Sequence, residues 1–486
     1  MEEYLKILML SIGPVFPNHV HGGSQKILRE VSGYFGLKGN AVRILCVQRS
    51  DNNEPFELAP NVMVLPILRL KQTYPEPYYT SPHNIAHFIT TVRVHIEWCD
   101  IFYVHDAELP FHYLYEDRVT VFSFRDFVYP DTLVGGFGFQ RDKLILSSDY
   151  VSGCVIDAFA PFRPGLSERI KVIPNGLDLS RFVRTRSGPS PALVEFLRNP
   201  PASTYTLLCP HRPDSRKGLS DSVRITAELQ RRLKPRGLSV KLMVPVWMDS
   251  NIATSSNHEY QGIYADLLAI AEDLGVRERV HLHSWIPYSL MPEYLSMGDV
   301  TLSVGNFVEA FGNVNLESVA CGTPCVVSCV AAHAYNLPEP LVRKVAHGDV
   351  LAAVDCVEEY CRTNYDSAAA REFIRLHYSF DGMLQGYERA FAETTMLAPL
   401  AFEPIPPLST DSKVRLAAWC RYDGIGIYND YAYGRITDSR QVKLACRAEW
   451  GVFAGNLEHD GFTTEEIETA IRDGVLVRVP TRVVNK

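Results

Sequence analysis

The chain has 486 residues, of which 46% are hydrophobic and 21% are charged, as is ordinary for a globular protein of two or three domains. Its formal net charge of -8 argues against nucleic acid or an anionic membrane as the main partner, because both require a basic surface. The 11 cysteines lack zinc spacing, and the N-terminus has too short an apolar run for a signal peptide. We therefore expect a reduced, cytoplasmic protein without a transmembrane segment.

The first half alternates apolar runs with helical patterns. The predicted strands include Lys6–Gly13, Val42–Val47, Val62–Ile67, Asp100–Asp106, "RVTVFSF", "DKLILSS" and "IKVIPNG". Between them, Gly22 and Gly23 open one helix, and His83–Trp98 forms another. "GGFGF" at Gly135 is expected to be a glycine loop without a phosphate-binding context. Strands that alternate with helices predict an α/β, doubly wound parallel sheet.

A segment rich in Pro, Ser and Arg, residues 184–204, is predicted to be a linker, after which the same α/β pattern starts again. We therefore expect an N-terminal domain at 1–183 and a second Rossmann-like domain at 184–400, facing each other across a cleft. The last helix of the second domain should pack back on the first. After a second linker, 403–486 is expected to form a small helix-and-strand module, in which a helix capped by Thr463 and Glu466 is followed by Gly474 and a strand.

The stretch "EAFGNVNLESVACGTP" is predicted to run from the end of one strand through a short helix to the next strand. A helix begins near Asn313, and Gly322 followed by Pro324 ends it. Its N-terminus attracts anions, and Glu309 and Glu317 can accept hydrogen bonds from sugar hydroxyls. The segment suits a ligand that is anionic in the middle and hydroxylated at both ends, although both glutamates could equally be solvated surface residues.

Three further features are candidates for binding or chemistry. Arg212 and Lys217, five residues apart across a turn, could neutralise a diphosphate, or form a basic surface loop. Gly22 and Gly23 could let backbone approach a phosphate, or form a simple turn. His105 ends a strand, where it could contact a hydroxyl or transfer a proton, or be a buried histidine with satisfied nitrogens. Asp-x-Asp, GxSxG and Walker motifs are absent, and we predict no metal site.

In their order along the chain these features resemble family 4 glycosyltransferases, retaining enzymes of the GT-B fold. The resemblance covers about residues 5 to 400. It rests on Gly22-Gly23, His105 in "DIFYVHD", "VIPNGLDLSRF", Arg212 with Lys217-Gly218, and Glu309-Ala310-Phe311-Gly312 with Glu317. It implies a metal-independent transfer of a sugar from a nucleotide sugar to an acceptor hydroxyl, with the leaving phosphate as base.

The resemblance also implies residue roles. Glu309 would bind the donor sugar, the backbone at Phe311, Gly312 and Asn313 would meet the sugar and phosphate, and Glu317 would hold the ribose. Arg212 and Lys217 would stabilise the diphosphate, which Gly22 and Gly23 would approach, and His105 would lie near the reacting centre. The base would stack near Trp285 and Ile286. No cofactor is implied beyond the co-substrate, a UDP-, GDP-, dTDP- or ADP-sugar.

Two other functions remain open on the sequence alone: a GT-B nucleotide-sugar epimerase or hydrolase, and a non-catalytic nucleotide-sugar-binding scaffold. The acceptor is unknown, and a soluble one is slightly favoured because no basic amphipathic helix marks a membrane-bound substrate. The aromatic stretch "YPEPYYTSPH" at 74–83 could line its pocket. The module at 403–486, with eleven basic and twelve acidic residues, is expected to dock on the core or to mediate self-association and not to bind DNA.

Overall fold

The computed structural model describes residues 4–18, 20, 22–70, 80–106, 109, 111–185, 188–247, 256–363 and 365–479. Most of the aromatic stretch at 74–83 lies outside them. The chain divides into two compact units. Unit 1 comprises Met1–Asn175 and Asp381–Lys486, and unit 2 comprises Gly176–Phe380. The sequence-based boundary at 183/184 lies a few residues beyond the first division.

Unit 1 begins with an eight-stranded sheet of order β3-β4-β2-β1-β5-β6-β7-β8, parallel apart from the β3–β4 pair. Its strands are β1 (Lys6–Ser11), β2 (Ala41–Val47), β3 (Phe56–Ala59), β4 (Val62–Leu68), β5 (Ile101–His105), β6 (Val119–Phe124), β7 (Lys143–Leu146) and β8 (Ile170–Val172). The accompanying helices are α1 (Gly23–Leu37), α2 (Pro82–Trp98), α3 (Pro130–Gly138), α4 (Asp149–Phe159) and α5 (Leu166–Arg169). The doubly wound prediction is confirmed, and β3 is an element that the sequence analysis missed.

The expected glycine loop at "GGFGF" was wrong, because most of it lies in helix α3. Gly136 packs so closely on Phe159 that a Cβ on it would lie 2.2 Å from the ring. Tertiary packing thus overrides the low helix propensity of the three glycines.

Unit 2 holds a six-stranded parallel sheet of order β11-β10-β9-β12-β13-β14. Its strands are β9 (Tyr205–Leu208), β10 (Val240–Val246), β11 (Val280–Ser284), β12 (Val300–Ser303), β13 (Cys325–Ser328) and β14 (Arg343–Val345). Its helices are α6 (Pro191–Leu197), α7 (Leu219–Leu233), α8 (Ser256–Asp273), α9 (Met291–Ser296), α10 (Asn313–Ala320), α11 (Val350–Arg362) and α12 (Ser367–His377). Helix α6 lies inside the expected linker, where Ser190 caps it by accepting from the Leu193 N–H.

Helix α13 (Phe380–Glu393) leads back into unit 1. Its Phe391 stacks on Phe35 of α1 at 4.8 Å between ring centroids. Its Glu388 accepts a hydrogen bond of 2.7 Å from the Tyr34 hydroxyl. These contacts place the last long helix of the α/β region on the helical layer of unit 1.

The rest of unit 1 is a small module with two three-stranded antiparallel sheets, β19-β15-β20 and β16-β17-β18. Its elements are β15 (Lys413–Leu416), β16 (Cys420–Tyr422), β17 (Ile427–Asn429), β18 (Gly434–Ile436), α14 (Ser439–Arg447), β19 (Val452–Phe453), α15 (Ala454–His459), α16 (Thr464–Arg472) and β20 (Leu476–Arg478). The predicted capping box between Thr463 and Glu466 is present.

The module packs on helix α4. Asp157, whose side chain is 3% exposed, accepts from the Ala418 N–H at 2.7 Å and forms an ion pair with Arg415. Tyr150 of the same helix donates to Asp430 at 2.8 Å. The structure therefore shows this module docked on the core, which is one of the two roles expected for the region. No helix in the described part of the chain is long and apolar enough to cross a membrane.

Candidate functional site

An ion pair between Lys217 and Glu309 is the centre of the candidate site in unit 2. Lys217 ends a short turn before α7, and Glu309 lies in the loop after β12. Their side chains are only 10% and 20% exposed. The Lys217 ammonium also lies 3.6 Å from the centroid of the Phe307 ring. Two residues that are 92 positions apart are thus brought together at the carboxyl edge of the sheet.

The surrounding charges keep Glu309 ionised. Burial would raise its pKa, but the charges of Lys217 and His333 outweigh that effect and lower the pKa to about 2. For Lys217, burial lowers the pKa, the Glu309 carboxylate opposes that shift and the charge of Arg212 adds to it. Burial also lowers the pKa of His211 to about 4, so this neighbour is neutral at pH 7. Arg212 is exposed and close enough to act on Lys217 electrostatically.

Arg216, next to Lys217 in the chain, pairs with an acid of its own loop. Its Nε and Nη2 bind the two carboxylate oxygens of Asp214 at 3.0 and 2.8 Å. The Arg216 guanidinium is therefore bound by a carboxylate of the same loop.

Two glycines fix the turn that carries Lys217. Gly218 has φ +80, and a Cβ on it would lie 2.4 Å from the Gly305 nitrogen. A Cβ on Gly305 would in turn lie 2.1 Å from the Arg216 carbonyl oxygen. The backbone after β12 and the backbone before α7 thus touch directly, at a separation that only glycine permits.

We expect Gly218→Ala to destabilise unit 2 by about 2–4 kcal/mol, the sum of a left-handed backbone penalty and a steric overlap with backbone. Urea unfolding measures this loss. Gly237→Ala is the matched control, because Gly237 also has a positive φ, +67, but no atom lies within 4 Å of the position that its Cβ would take. Equal losses in the two variants would contradict the close contact of Gly218 with Gly305.

The N-terminus of α10 forms the second wall of the site. Gly312 is its N-cap residue with φ +82, and Asn313 is its first residue. The ring of His333 lies against Gly312, since a Cβ there would be 2.7 Å from the His333 Cδ2. Phe311 is buried, and its carbonyl accepts from the Asn336 amide. Glycine has no side chain that would cover the N-terminal N–H groups of the helix, and a helix N-terminus suits an anion.

Glu317 lies in the second turn of α10 and is 6% exposed. It is therefore not the solvated surface residue that the sequence also allowed. A carboxylate this buried beside a helix start can serve as a hydrogen-bond acceptor for a bound hydroxyl.

Two tryptophans lie at the edge of the sheet where β10 and β11 end. Trp285 follows β11 and Trp247 follows β10, and the two rings meet edge-to-face at 4.6 Å. The adjacent Ile286 is buried in the core of unit 2. Sequence analysis singled out Trp285 and Ile286 but missed Trp247. The parallel register that pairs Val246 with Ser284 brings the two tryptophans together.

The remaining candidates, Gly22, Gly23 and His105, lie in unit 1. Gly22 has φ +114 and is the N-cap residue of α1, and Gly23 is the first residue of that helix. His105 ends β5 and is 1% exposed. Its Nδ1 accepts from the Tyr103 hydroxyl at 2.8 Å, and its Nε2 donates to the Ser24 carbonyl at 2.9 Å. Burial lowers its pKa to about 3, so His105 is a neutral hydrogen-bonding group.

Sequence reasoning also missed His333 and Asn336. Both follow β13, at the same sheet edge as Glu309, and Ala331 before them has a positive φ of 48. The only sequence signal was their position just beyond a buried strand. Among the residues that the structure describes, no group of three or more His, Cys, Asp or Glu could hold a metal ion.

The comparisons with known proteins point to glycosyltransferases. Residues 261–334 match the family model "Glycosyl transferases group 1". A curated relative, the GDP-mannose-dependent alpha-(1-6)-phosphatidylinositol monomannoside mannosyltransferase of Mycolicibacterium smegmatis, is 28% identical over 204 residues. That match covers 40% of this chain and 46% of the relative, so the chain spans about half the length of the relative it matches.

Solved structures with the same fold cover more of the chain. Sucrose-phosphate synthase from Thermosynechococcus elongatus has a TM-score of 0.60 at 17% identity, covering 80% of this chain and 99% of that one. Anabaena HepE in complex with UDP and glucose has a TM-score of 0.58 at 16% identity, covering 80% and 100%. These likenesses show that the chain has the GT-B fold.

Proposed function

We propose that this GT-B chain is a retaining, metal-independent glycosyltransferase of the family 4 kind, which moves a sugar from a nucleotide sugar to an acceptor hydroxyl. The observation that carries the proposal is the Lys217–Glu309 pair beside the N-terminus of α10. A cation, an anion and a helix N-terminus at one sheet edge suit a diphosphate flanked by hydroxyl groups. The group 1 match at 261–334 includes Glu309, Phe311, Gly312 and Glu317.

In this proposal Lys217 and Arg212 neutralise the diphosphate as the bond to the sugar breaks. Positive groups aimed at developing negative charge are commonly the largest contribution to such catalysis. Without donor, Glu309 neutralises Lys217. With donor, the phosphate takes over that role and Glu309 turns to the sugar hydroxyls. The charge that a metal ion would otherwise supply comes from these side chains and from the α10 N-terminus.

The other residues hold the two ends of the donor. Glu317 accepts from the ribose hydroxyls, and Trp285 with Trp247 offers an aromatic surface for the base next to Ile286. Gly312 and Asn313 meet the sugar and the phosphate. For unit 1 the proposal keeps the roles that the resemblance implies: Gly22 and Gly23 approach the phosphate, and the neutral His105 lies near the reacting centre. A cytoplasmic location and self-association through the C-terminal module remain predictions.

A thermal-shift screen against UDP, GDP, dTDP, ADP and their common sugars tests donor binding. A ligand at one hundred times its Kd stabilises the folded chain by about 2.7 kcal/mol, enough to raise the unfolding temperature by several degrees. We expect one nucleotide class to do so, and Glu317→Ala to weaken its binding by roughly 10- to 100-fold through loss of a charged hydrogen bond.

Glu317→Gln is the matched control, since an amide keeps one acceptor oxygen and should lose less affinity than alanine. Product analysis without an acceptor then separates a transferase from an epimerase or a hydrolase. If no nucleotide shifts the unfolding temperature, the donor-binding proposal is wrong.

A further inference from the structure

Unit 1 contains a polar cavity that the proposed donor chemistry does not use. Its volume is about 350 Å³. Polar and basic side chains dominate its lining: Gln48, Arg49, Ser50, Asn53, Arg69 and Asn84. None of the described residues that line it is acidic. The cavity therefore favours a ligand that is negatively charged and rich in hydrogen-bonding groups.

The first of its two guanidinium groups is held in place. Arg49 is 12% exposed, and its Nε and Nη2 bind Asp51 at 2.8 and 3.2 Å. The guanidinium also lies 5.7 Å from the Phe16 ring centroid. Because Asp51 neutralises Arg49, the net positive charge of the wall comes from the exposed Arg69, which follows β4. The Arg69 guanidinium is therefore the group of this wall that suits a phosphate or carboxylate.

The N-terminus of helix α2 adds to this positive potential. Asn84, in the first turn of this 17-residue helix, lines the cavity. No acidic residue lies in that turn, and the N-cap Ser81 makes no side-chain bond to the helix backbone. The Ser81 hydroxyl lies 3.0 Å from the His83 ring instead. The positive end of the helix dipole is therefore not offset within its own first turn.

The cavity lies beside the functional edge of the unit 1 sheet. Its walls come from the segments that follow β2 and β4, and β1 separates β2 from β5, which ends at His105. Two strand spacings, about 10 Å across the sheet edge, separate β2 from β5. The cavity and the end of β5 thus lie at the same edge of the sheet.

We propose that this cavity binds the anionic group of a phosphorylated sugar or polyol. The role of that ligand as the acceptor rests on the proposed function, whereas its binding to the cavity does not. The amides of Gln48, Asn53 and Asn84 would bind the ligand's hydroxyl groups, and Arg69 would bind its phosphate.

Titration calorimetry of the full chain with inorganic phosphate, glucose 6-phosphate, myo-inositol 1-phosphate and glucose tests this proposal. We expect the phosphorylated ligands to bind more tightly than glucose. Asn84→Asp and Arg69→Gln should each weaken that binding about ten-fold or more by changing the charge at the cavity. Asn84→Asp should unfold at the same temperature as the wild type or higher, because an acid in a first helical turn is favourable. Arg231→Gln, at an arginine of α7 with a 72% exposed side chain, is the control for charge loss.

Equal binding of glucose and glucose 6-phosphate would overturn the proposal. So would phosphate binding that survives Asn84→Asp but is lost in Lys217→Met, because the anion would then occupy the donor site. Binding to phosphatidylcholine vesicles with and without phosphatidylinositol distinguishes a lipid headgroup from a free sugar phosphate. Binding of the lipid headgroup or of the free sugar phosphate supports the inference if it depends on the cavity residues. If a nucleotide raises the unfolding temperature but no phosphorylated ligand binds the cavity, this inference alone is refuted. If a phosphorylated ligand binds the cavity but no nucleotide raises the unfolding temperature, only the donor proposal is refuted.

Discussion

Replacing Lys217 by Met should lower the rate of sugar transfer by roughly 10²- to 10³-fold, the usual effect of removing one group that stabilises transition-state charge. Methionine keeps the length of the side chain and its contact with Phe307 while removing the ammonium. Steady-state kinetics with the donor found in the thermal-shift screen measures the loss. If Lys217 stabilises the departing diphosphate, kcat should fall at least as much as kcat/KM does.

The same change should also affect stability. Glu309 would be left largely buried without its counter-ion, at a cost of about 1–3 kcal/mol in the free energy of unfolding. Adding Glu309→Gln should recover part of that stability but none of the activity. Lys38→Met, which breaks an ion pair whose side chains are 47% and 36% exposed, should change both quantities little. Full activity in Lys217→Met would remove Lys217 from the proposed chemistry.

Replacing Asp430 by Ala should destabilise unit 1 by about 3–5 kcal/mol, because it leaves a buried arginine without its counter-ion. Asp430 is fully buried, its partner Arg421 has a 9% exposed side chain, and the two lie 2.5 Å apart. Asp430 also accepts from Tyr150 of α4, so its loss weakens the hold of the C-terminal module on the core. Urea unfolding followed by tyrosine fluorescence measures the change.

Limited digestion with chymotrypsin shows which part of the Asp430→Ala variant unfolds locally. The segment 402–410 lies in neither a helix nor a strand, and we expect faster cleavage at Phe402 and Leu408. Asp460→Ala serves as control, since its pair with Arg447 lies on the surface of the same module, with side chains 32% and 57% exposed. Cleavage that is no faster in Asp430→Ala than in this control would show that the buried pair does not hold the module.

Local signals predicted the central motif almost to the residue. Helix α10 begins at Asn313, and β13 is Cys325–Ser328, as expected from Gly322, Pro324 and the short apolar run. The capping box at Thr463 is equally local. Helix α6 was missed because Ser190 and Pro191 were counted toward a linker composition, although a serine cap and an early proline also start helices.

What the sequence could not predict depends on tertiary contacts. Lys217 and Glu309 were both chosen as site residues, but their ion pair joins loops that only the sheet order brings together. Trp247 carries no signal of its own, and it becomes a candidate only through the strand register that places it beside Trp285. Apart from the strand predicted after Gly474, which is β20, the strands of the C-terminal module were missed. They are two to four residues long, too short for an alternating pattern to indicate them.

Proton NMR of slow donor hydrolysis, with water as the acceptor, tests the central claim most directly. The experiment uses the nucleotide sugar identified by thermal shift and records the anomer of the released sugar before it equilibrates. The account predicts release with the donor's own anomeric configuration, in the presence of a metal chelator, and much slower release in Glu309→Gln. Release of the opposite anomer, or a rate unchanged in Glu309→Gln, would contradict it.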